Sequence, residues 1–168
     1  MSGTGTFINR FRALHEKAKG GTLTEPLRIE YEQLRRELGR LMLVAQQMGR
    51  GGKTLRSTLR IAQLIKVELD LGGSAPERTS TMDLASGGFA ALVPASQPLG
   101  KRVPFTLQVP SFPSGTQPLE GVAKVASTTP QGGLHRVSFS FEAMTPEDRS
   151  HLDMVIIDFV LRRFTTPG

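Results

Sequence analysis

Residues 82–92 read MDLASGGFAAL, and the fold turns on how this stretch is taken. Asp83 is followed by a small residue at Ala85, then by Ser86, Gly87 and Gly88, with short apolar runs on either side. Paired glycines between two apolar runs supply a turn or a bulge between strands. The same residues place a carboxylate beside accessible backbone, which suits a ligand that offers N–H donors. Which of the two applies depends on the rest of the chain.

Upstream, LIKVELDL sets Ile65, Val67 and Leu69 against Lys66, Glu68 and Asp70, the period-two pattern of a half-buried strand. Further strand-like segments fall at 79–84, 88–93, 102–109, 119–127 and 135–141, separated by Pro- and Gly-rich turns. In HRVSFSF, Val137, Phe139 and Phe141 alternate with polar residues. Short strands at this spacing predict a small antiparallel barrel or closed sheet. A helix follows, with Thr145 as N-cap, Pro146 at the first helical position and Asp148 where a capping box has its acid. Its apolar face is Leu152, Val155, Ile156, Phe159 and Val160, which would plug one end of the barrel or cover one side.

Before the strands the periodicity is helical. Phe7, Phe11 and Leu14 mark a helix over 7–18, stopped by Gly20 and Gly21. Thr24 caps a second helix over 25–48. Its apolar residues Leu27, Tyr31, Leu34, Leu38, Leu41, Ala45 and Met48 step by four and three, an a/d heptad seam. The seam packs within the chain or on a second copy, so a homodimer through this helix is one expectation. GRGGK at 49–53 is the clearest boundary. It divides a helical extension and glycine-rich joint, 1–53, from a β-barrel domain, 54–168.

The chain has no Cys, which excludes disulfides and thiolate metal sites. Its N-terminus lacks a long apolar run, and MVIIDFVL near the other end is too short to cross a bilayer and contains Asp158. A soluble, cytoplasmic protein is expected. Residues 1–60 carry twelve Lys and Arg against five Asp and Glu, whereas the remainder carries nine against ten. A basic N-terminal part implies an anionic partner. Nucleic acid fits poorly, because the arginines are interleaved with Glu30, Glu32 and Glu37 and no aromatic stacking surface accompanies them.

Catalysis has little support. None of His15, His135 and His151 sits in a metal-ligand pattern, and no Gly-x-Ser-x-Gly elbow occurs. GRGGKT resembles a phosphate-binding P-loop but has Gln47 where that motif needs its first glycine, and it follows a helix rather than a strand. The chain is expected to be no enzyme and to hold no metal and no cofactor.

The informative pair is LRSTLR and DLASGG. Arg56 and Arg60 stand four apart, after the glycine joint and before the first strand. Two guanidiniums at that spacing can converge on one anionic, planar ligand, forking onto phosphate oxygens or onto the O6/N7 edge of guanine. A good contact of that kind is worth roughly 1–3 kcal/mol.

Together these segments resemble the PilZ domain, a bacterial receptor module for cyclic di-GMP. The resemblance rests on Arg56-Ser-Thr-Leu-Arg60 and on Asp83-Leu-Ala85-Ser-Gly-Gly88, which match the family's Arg-x-x-x-Arg and Asp/Asn-x-Ser-x-x-Gly. It continues through PLGKRVPFTLQVP, LEGVAKVAS, HRVSFSF and MTPEDRSHLDMVI, and covers about 55–168. In composition and motif style the chain is similar to myxobacterial members. The resemblance implies a six-stranded antiparallel barrel with a C-terminal helix, here preceded by a helical hairpin. It implies that Arg56 and Arg60 grip guanine edges and phosphates while Asp83, position 85 and Gly88 hold a guanine on the barrel surface. Lys53, Ser86 and Gly87 are auxiliary candidates. Position 85 is Ala where the family has Ser, and Ser57 stands where many members carry a further Arg. The implied function is a second-messenger effector that rearranges its N-terminal helices against the barrel to signal to a protein partner. Motility, polysaccharide export, development and transcription are all open as the regulated process. The alternative is a degenerate PilZ adaptor that binds proteins and no cyclic di-GMP.

Overall fold

The computed structural model describes residues 3–48, 60–112 and 114–165. The glycine joint, Lys53 and Arg56 lie outside the described residues. Two helices, α1 (Gly3–Lys19) and α2 (Glu25–Met48), come first. Seven strands follow: β1 (Arg60–Ile61), β2 (Lys66–Leu69), β3 (Glu77–Ala85), β4 (Gly88–Val93), β5 (Arg102–Pro110), β6 (Thr116–Gln131) and β7 (Leu134–Ala143). Helix α3 (Pro146–Thr165) ends the described chain. The chain divides into a helical unit, Met1–Leu59 with Phe112–Gly115 and Ile157–Gly168, and a barrel unit, Arg60–Ser111 with Thr116–Ile156.

In the barrel unit the strand order is β3-β2-β5-β6-β7-β4, and β4 returns to pair with β3. Six antiparallel strands therefore close on themselves, as the sequence predicts. The two-residue β1 is an addition: it pairs with the end of β3, Arg60 opposite Ala85 and Ile61 opposite Leu84. Strand β6 runs well beyond the predicted 119–127, because its far half pairs with β7 as a hairpin arm exposed to solvent, where apolar alternation is not needed. Inward residues fill the barrel. Phe89 packs against Phe139 with ring centroids 5.0 Å apart and against Phe105 at 5.6 Å. The buried Leu69, Leu84, Val103, Leu107, Leu119 and Val137 complete the core.

Two local features explain how β1 and β4 come to lie where they do. The buried Thr81 hydroxyl donates to the Gln63 carbonyl at 2.6 Å and accepts the Ile65 N–H at 3.0 Å, and the Thr81 N–H reaches the Ile65 carbonyl at 2.8 Å. This ties the segment after β1 to β3. At the other edge, a Cβ on Gly88 would meet the Phe139 carbonyl oxygen of β7 at 2.0 Å. Only glycine lets β7 run this close to β4.

The helical unit has its own core of Phe11, Leu14, Tyr31, Leu38, Ile157 and Leu161, with Leu27, Leu34 and Met42 packed against it. Helix α1 ends as predicted at Gly20-Gly21. Gly21 has φ +70°, and the Thr22 N–H bonds back to the Lys17 carbonyl at 3.0 Å. The expected seam of α2 holds through Leu38 and then departs. Met42 packs inward, while Leu41 is 45 % exposed. A straight helix has 3.6 residues per turn and drifts ahead of a 3.5-residue repeat, so the inward position advances by one. Ala45 and Met48 have no described side-chain environment. In α3 the Thr145 side chain caps as expected, accepting the Asp148 N–H at 3.1 Å. The buried set includes Ile157 and Leu161, whereas Phe159 is half-buried.

A polar chain crosses the helical core. Asp158 can only accept, so the His15 Nε2–H donates to its Oδ1 at 3.0 Å, and His15 Nδ1 is hydrogen-bonded to the Tyr31 hydroxyl at 2.9 Å. Lys19 and Arg162 also contact the Asp158 carboxylate, at 3.0 and 2.9 Å. Burial alone would raise the Asp158 pKa, but the hydrogen bonds from His15 and Lys19 and the charges of Lys19 and Arg162 hold it down to about 2. Burial pushes the Tyr31 hydroxyl up to about 12.

Two predictions follow from this packing. Asp158 has a folded pKa below its unfolded value of 3.8, so its stabilisation is present above pH 4 and is lost as pH falls towards 2. At one pKa unit per 1.36 kcal/mol this amounts to about 2 kcal/mol. Asp158→Asn should lower the melting temperature at pH 7 and flatten its fall between pH 4 and pH 2; an unaltered acid profile contradicts the account. Gly88→Ala should lower stability in urea by roughly 1–3 kcal/mol or more through overpacking. An unchanged midpoint would mean that β7 does not press on Gly88 as described.

Candidate functional site

Strand β4 lies between β3 and β7 and organises the outer face of the barrel. Opposite Ala90 on β4 stand Asp83 on β3 and Ser138 on β7. A bulge at Met82 sets this register, shifting the pairing between Thr81 and Asp83. Leu84 consequently points into the core, and Asp83 and Ala85 share the outer row.

The Asp83 carboxylate is held from both sides. From β1, Arg60 Nη1 stands 3.5 Å from Oδ1. Arg60 faces Ala85, two residues along β3 from Asp83, and a diagonal of that length is within reach of an arginine. From β7, Arg136 Nη2 donates to Oδ2 at 2.5 Å, and Nη1 lies 3.9 Å from the Met82 sulfur. Arg136 reaches across β4, where the small Ala90 leaves the path clear. The Asp83 side chain is 15 % exposed, and each arginine is 34 % exposed. Two guanidiniums thus meet one carboxylate at a surface open to solvent.

The other candidates lie close by. Ala85 is buried, 2 % exposed. Ser86 and Gly87 form the turn between β3 and β4. The Gly87 carbonyl accepts the Phe141 N–H at 2.9 Å, and Arg149 of α3 donates to the Ser86 carbonyl at 3.4 Å. Gly88 follows, its missing Cβ accounted for by β7. Arg60, Asp83, Ala85 and Gly88 are thus brought together, while Arg56 and Lys53 lie outside the described residues. Beside this cluster an open groove of about 840 Å³ runs along the outside of β2, β3 and β5. Leu64, Lys66, Arg78, Met82 and Leu92 line it.

Sequence reasoning did not single out Arg136, Arg149 or Thr81. Arg136 had a signal: in HRVSFSF it falls on the outward phase, one residue before Val137. Its partner could be found only once β4 was known to lie between β3 and β7. Among the described residues, no group of three or more His, Cys, Asp and Glu is placed to hold a metal ion. Nor is any helix among them long and apolar enough to cross a membrane.

Comparison with known proteins agrees with this fold. No curated protein matches the chain in sequence. Among solved structures, the Bacillus subtilis inhibitor of motility (MotI/DgrA) superposes with a TM-score of 0.57 at 18 % identity, covering 66 % of this chain and 53 % of that one. The PilZ domain of YcgR from Escherichia coli, solved with cyclic di-GMP, gives 0.50 at 22 % identity, covering 66 % and 94 %. The MrkH–cyclic di-GMP complex of K. pneumonia gives 0.53 at 10 % identity, covering 66 % and 55 %. The chain therefore spans about half the length of MotI/DgrA and of MrkH. The family model for the PilZ domain matches residues 54–158, more than half of the sequence, and the chain belongs to the PilZ domain family.

Proposed function

We propose that the protein is a receptor for cyclic di-GMP and performs no chemistry on it. The observation that carries this reading is the placement of Asp83 on the outer row of the barrel, within reach of Arg60. Guanine offers N1–H and N2–H2 donors to a carboxylate that can only accept, and O6 and N7 acceptors to a guanidinium that can only donate. An adjacent Asp and Arg can therefore read two neighbouring edges of one base, the carboxylate the Watson–Crick donors and the guanidinium the O6/N7 acceptors. Two guanidiniums on one face suit a ligand with two phosphates. Relatives solved with cyclic di-GMP, YcgR and MrkH among them, support the assignment.

Arg56 and Arg60 follow the glycines of 49–53, which connect the barrel motif to α2. A ligand that engages both arginines fixes the start of this connection on the barrel. It thereby biases the placement of the N-terminal helices, which a partner protein then reads. Such a bias requires the ligand to bind one arrangement better than the other. A second reading, an adaptor without ligand, is favoured by two observations: the missing hydroxyl at Ala85, and the exposed Leu41 and Val44 of α2.

Isothermal titration of the full chain with cyclic di-GMP separates the two. A receptor gives saturable binding, and Arg60→Ala weakens it at least tenfold, since a hydrogen bond to a charged group is worth about 1.5–3 kcal/mol. Absence of heat and of any thermal shift at high ligand concentration overturns the receptor reading. Ala85→Ser restores the family's hydroxyl and is expected to tighten binding roughly two- to tenfold, the value of a neutral hydrogen bond of about 0.5–1.5 kcal/mol. The adaptor reading instead expects Leu41→Glu to abolish function while Arg60→Ala leaves it intact.

A further inference from the structure

We propose that Arg136 is a third ligand-contacting arginine of this site, one that gives up Asp83 for a phosphate of the bound dinucleotide. The inference rests on the cyclic di-GMP reading and adds to it a residue outside both sequence motifs. Its starting point is the occupancy of the Asp83 carboxylate: Oδ1 faces Arg60 at 3.5 Å and Oδ2 receives Arg136 at 2.5 Å. A guanine that presents N1–H and N2–H2 side by side needs both oxygens. Arg136, the closer of the two arginines, competes with the guanine donors for Oδ2 and is the one displaced.

A guanidinium that gives up its carboxylate keeps its two-pronged hydrogen bonding where another anion takes the carboxylate's place. The ligand supplies one. Arginine's planar fork fits two phosphate oxygens as well as it fits a carboxylate, so the exchange conserves both charge pairing and hydrogen bonds. The surroundings leave room for the movement. Arg136 Nη1 already lies against the Met82 sulfur, and Met82 and Leu92 line the groove that opens beside the site. Lys66 lines the same groove, as do Arg78 and Glu68, which pair with each other at 2.9 Å. The anchoring strand holds firm: β7 pairs with β4 from Leu92 opposite Arg136 to Gly88 opposite Ser140. Only the side chain has to move.

In the free protein the Arg136–Asp83 pair then keeps the carboxylate compensated, and in the complex the same arginine contacts the ligand. Arg60 reads the base edge from β1 while Arg136 approaches from β7, so that the ligand is gripped from both flanks of β3 and β4.

The test is titration of the full chain with cyclic di-GMP at low and high NaCl, using the wild type, Arg60→Ala, Arg136→Met and Arg136→Lys. Circular dichroism and thermal midpoints check the folding of each. Arg136→Met is expected to weaken binding about tenfold or more, the value of a charge-assisted contact, and to make the affinity less sensitive to salt. Arg136→Lys, which keeps the charge without the fork, should recover part of the affinity and the full salt sensitivity. If Arg136→Met fails to fold, Arg136→Gln carries the same expectation, since it keeps a donor for Asp83 and has no charge. Binding by Arg136→Met or Arg136→Gln as tight as wild type, or tighter, with Arg60→Ala still defective, overturns the inference: Arg136 would then only brace or block Asp83. No binding by the wild type overturns the cyclic di-GMP reading itself, and this inference with it.

Discussion

Strand β4 pairs with β3 on one edge and with β7 on the other, and the barrel closes through that double pairing. It depends on a very close approach of two backbones, β7 passing Gly88 at a distance that no side chain allows. The outer face follows from this closure. Asp83 and Arg136 are far apart in sequence and on different strands, yet they meet over Ala90 because β4 separates them by a single strand. Arg60 joins them because Thr81 and the short β1 fasten the entering chain to the opposite edge of β3. Core, closure and candidate site are linked in that order.

Gly88 shows how one residue can answer two demands. In the family motif a glycine at this place suits a base lying against the backbone. Here β7 alone is sufficient reason for it, so a glycine in the motif does not by itself argue for a ligand. The charged residues carry that argument. Asp83 and Arg60 are partly exposed and face each other on the outer surface of the barrel.

Much of the fold was legible because closed antiparallel sheets demand strict alternation. Val67 and Leu69, and Val137, Phe139 and Phe141, give their strands away. Thr145 and Gly21 mark helix ends through capping chemistry that needs no tertiary context. What escaped the sequence was non-local. The outer half of β6 borrows its order from β7, and the segment after β1 is held by a threonine sixteen and eighteen residues away. The inward shift from Leu41 to Met42 reflects how far a straight helix outruns a heptad count. The Tyr31–His15–Asp158 chain joins residues that no spacing rule connects, and Asp158 looked like an interruption of an apolar run. The candidate site divides in the same way. Asp83, Ala85, Gly88 and Arg60 were found by motif, whereas Arg136 becomes visible only when the strand order is known.

The most direct test of the account follows backbone amide signals of the ¹⁵N-labelled full chain by NMR as cyclic di-GMP is added. The account predicts saturable shifts centred on Arg60, on Asp83 through Gly88 and on Arg136, with the interior strands little affected. Shifts confined to α2, or none at any ligand concentration, would contradict it.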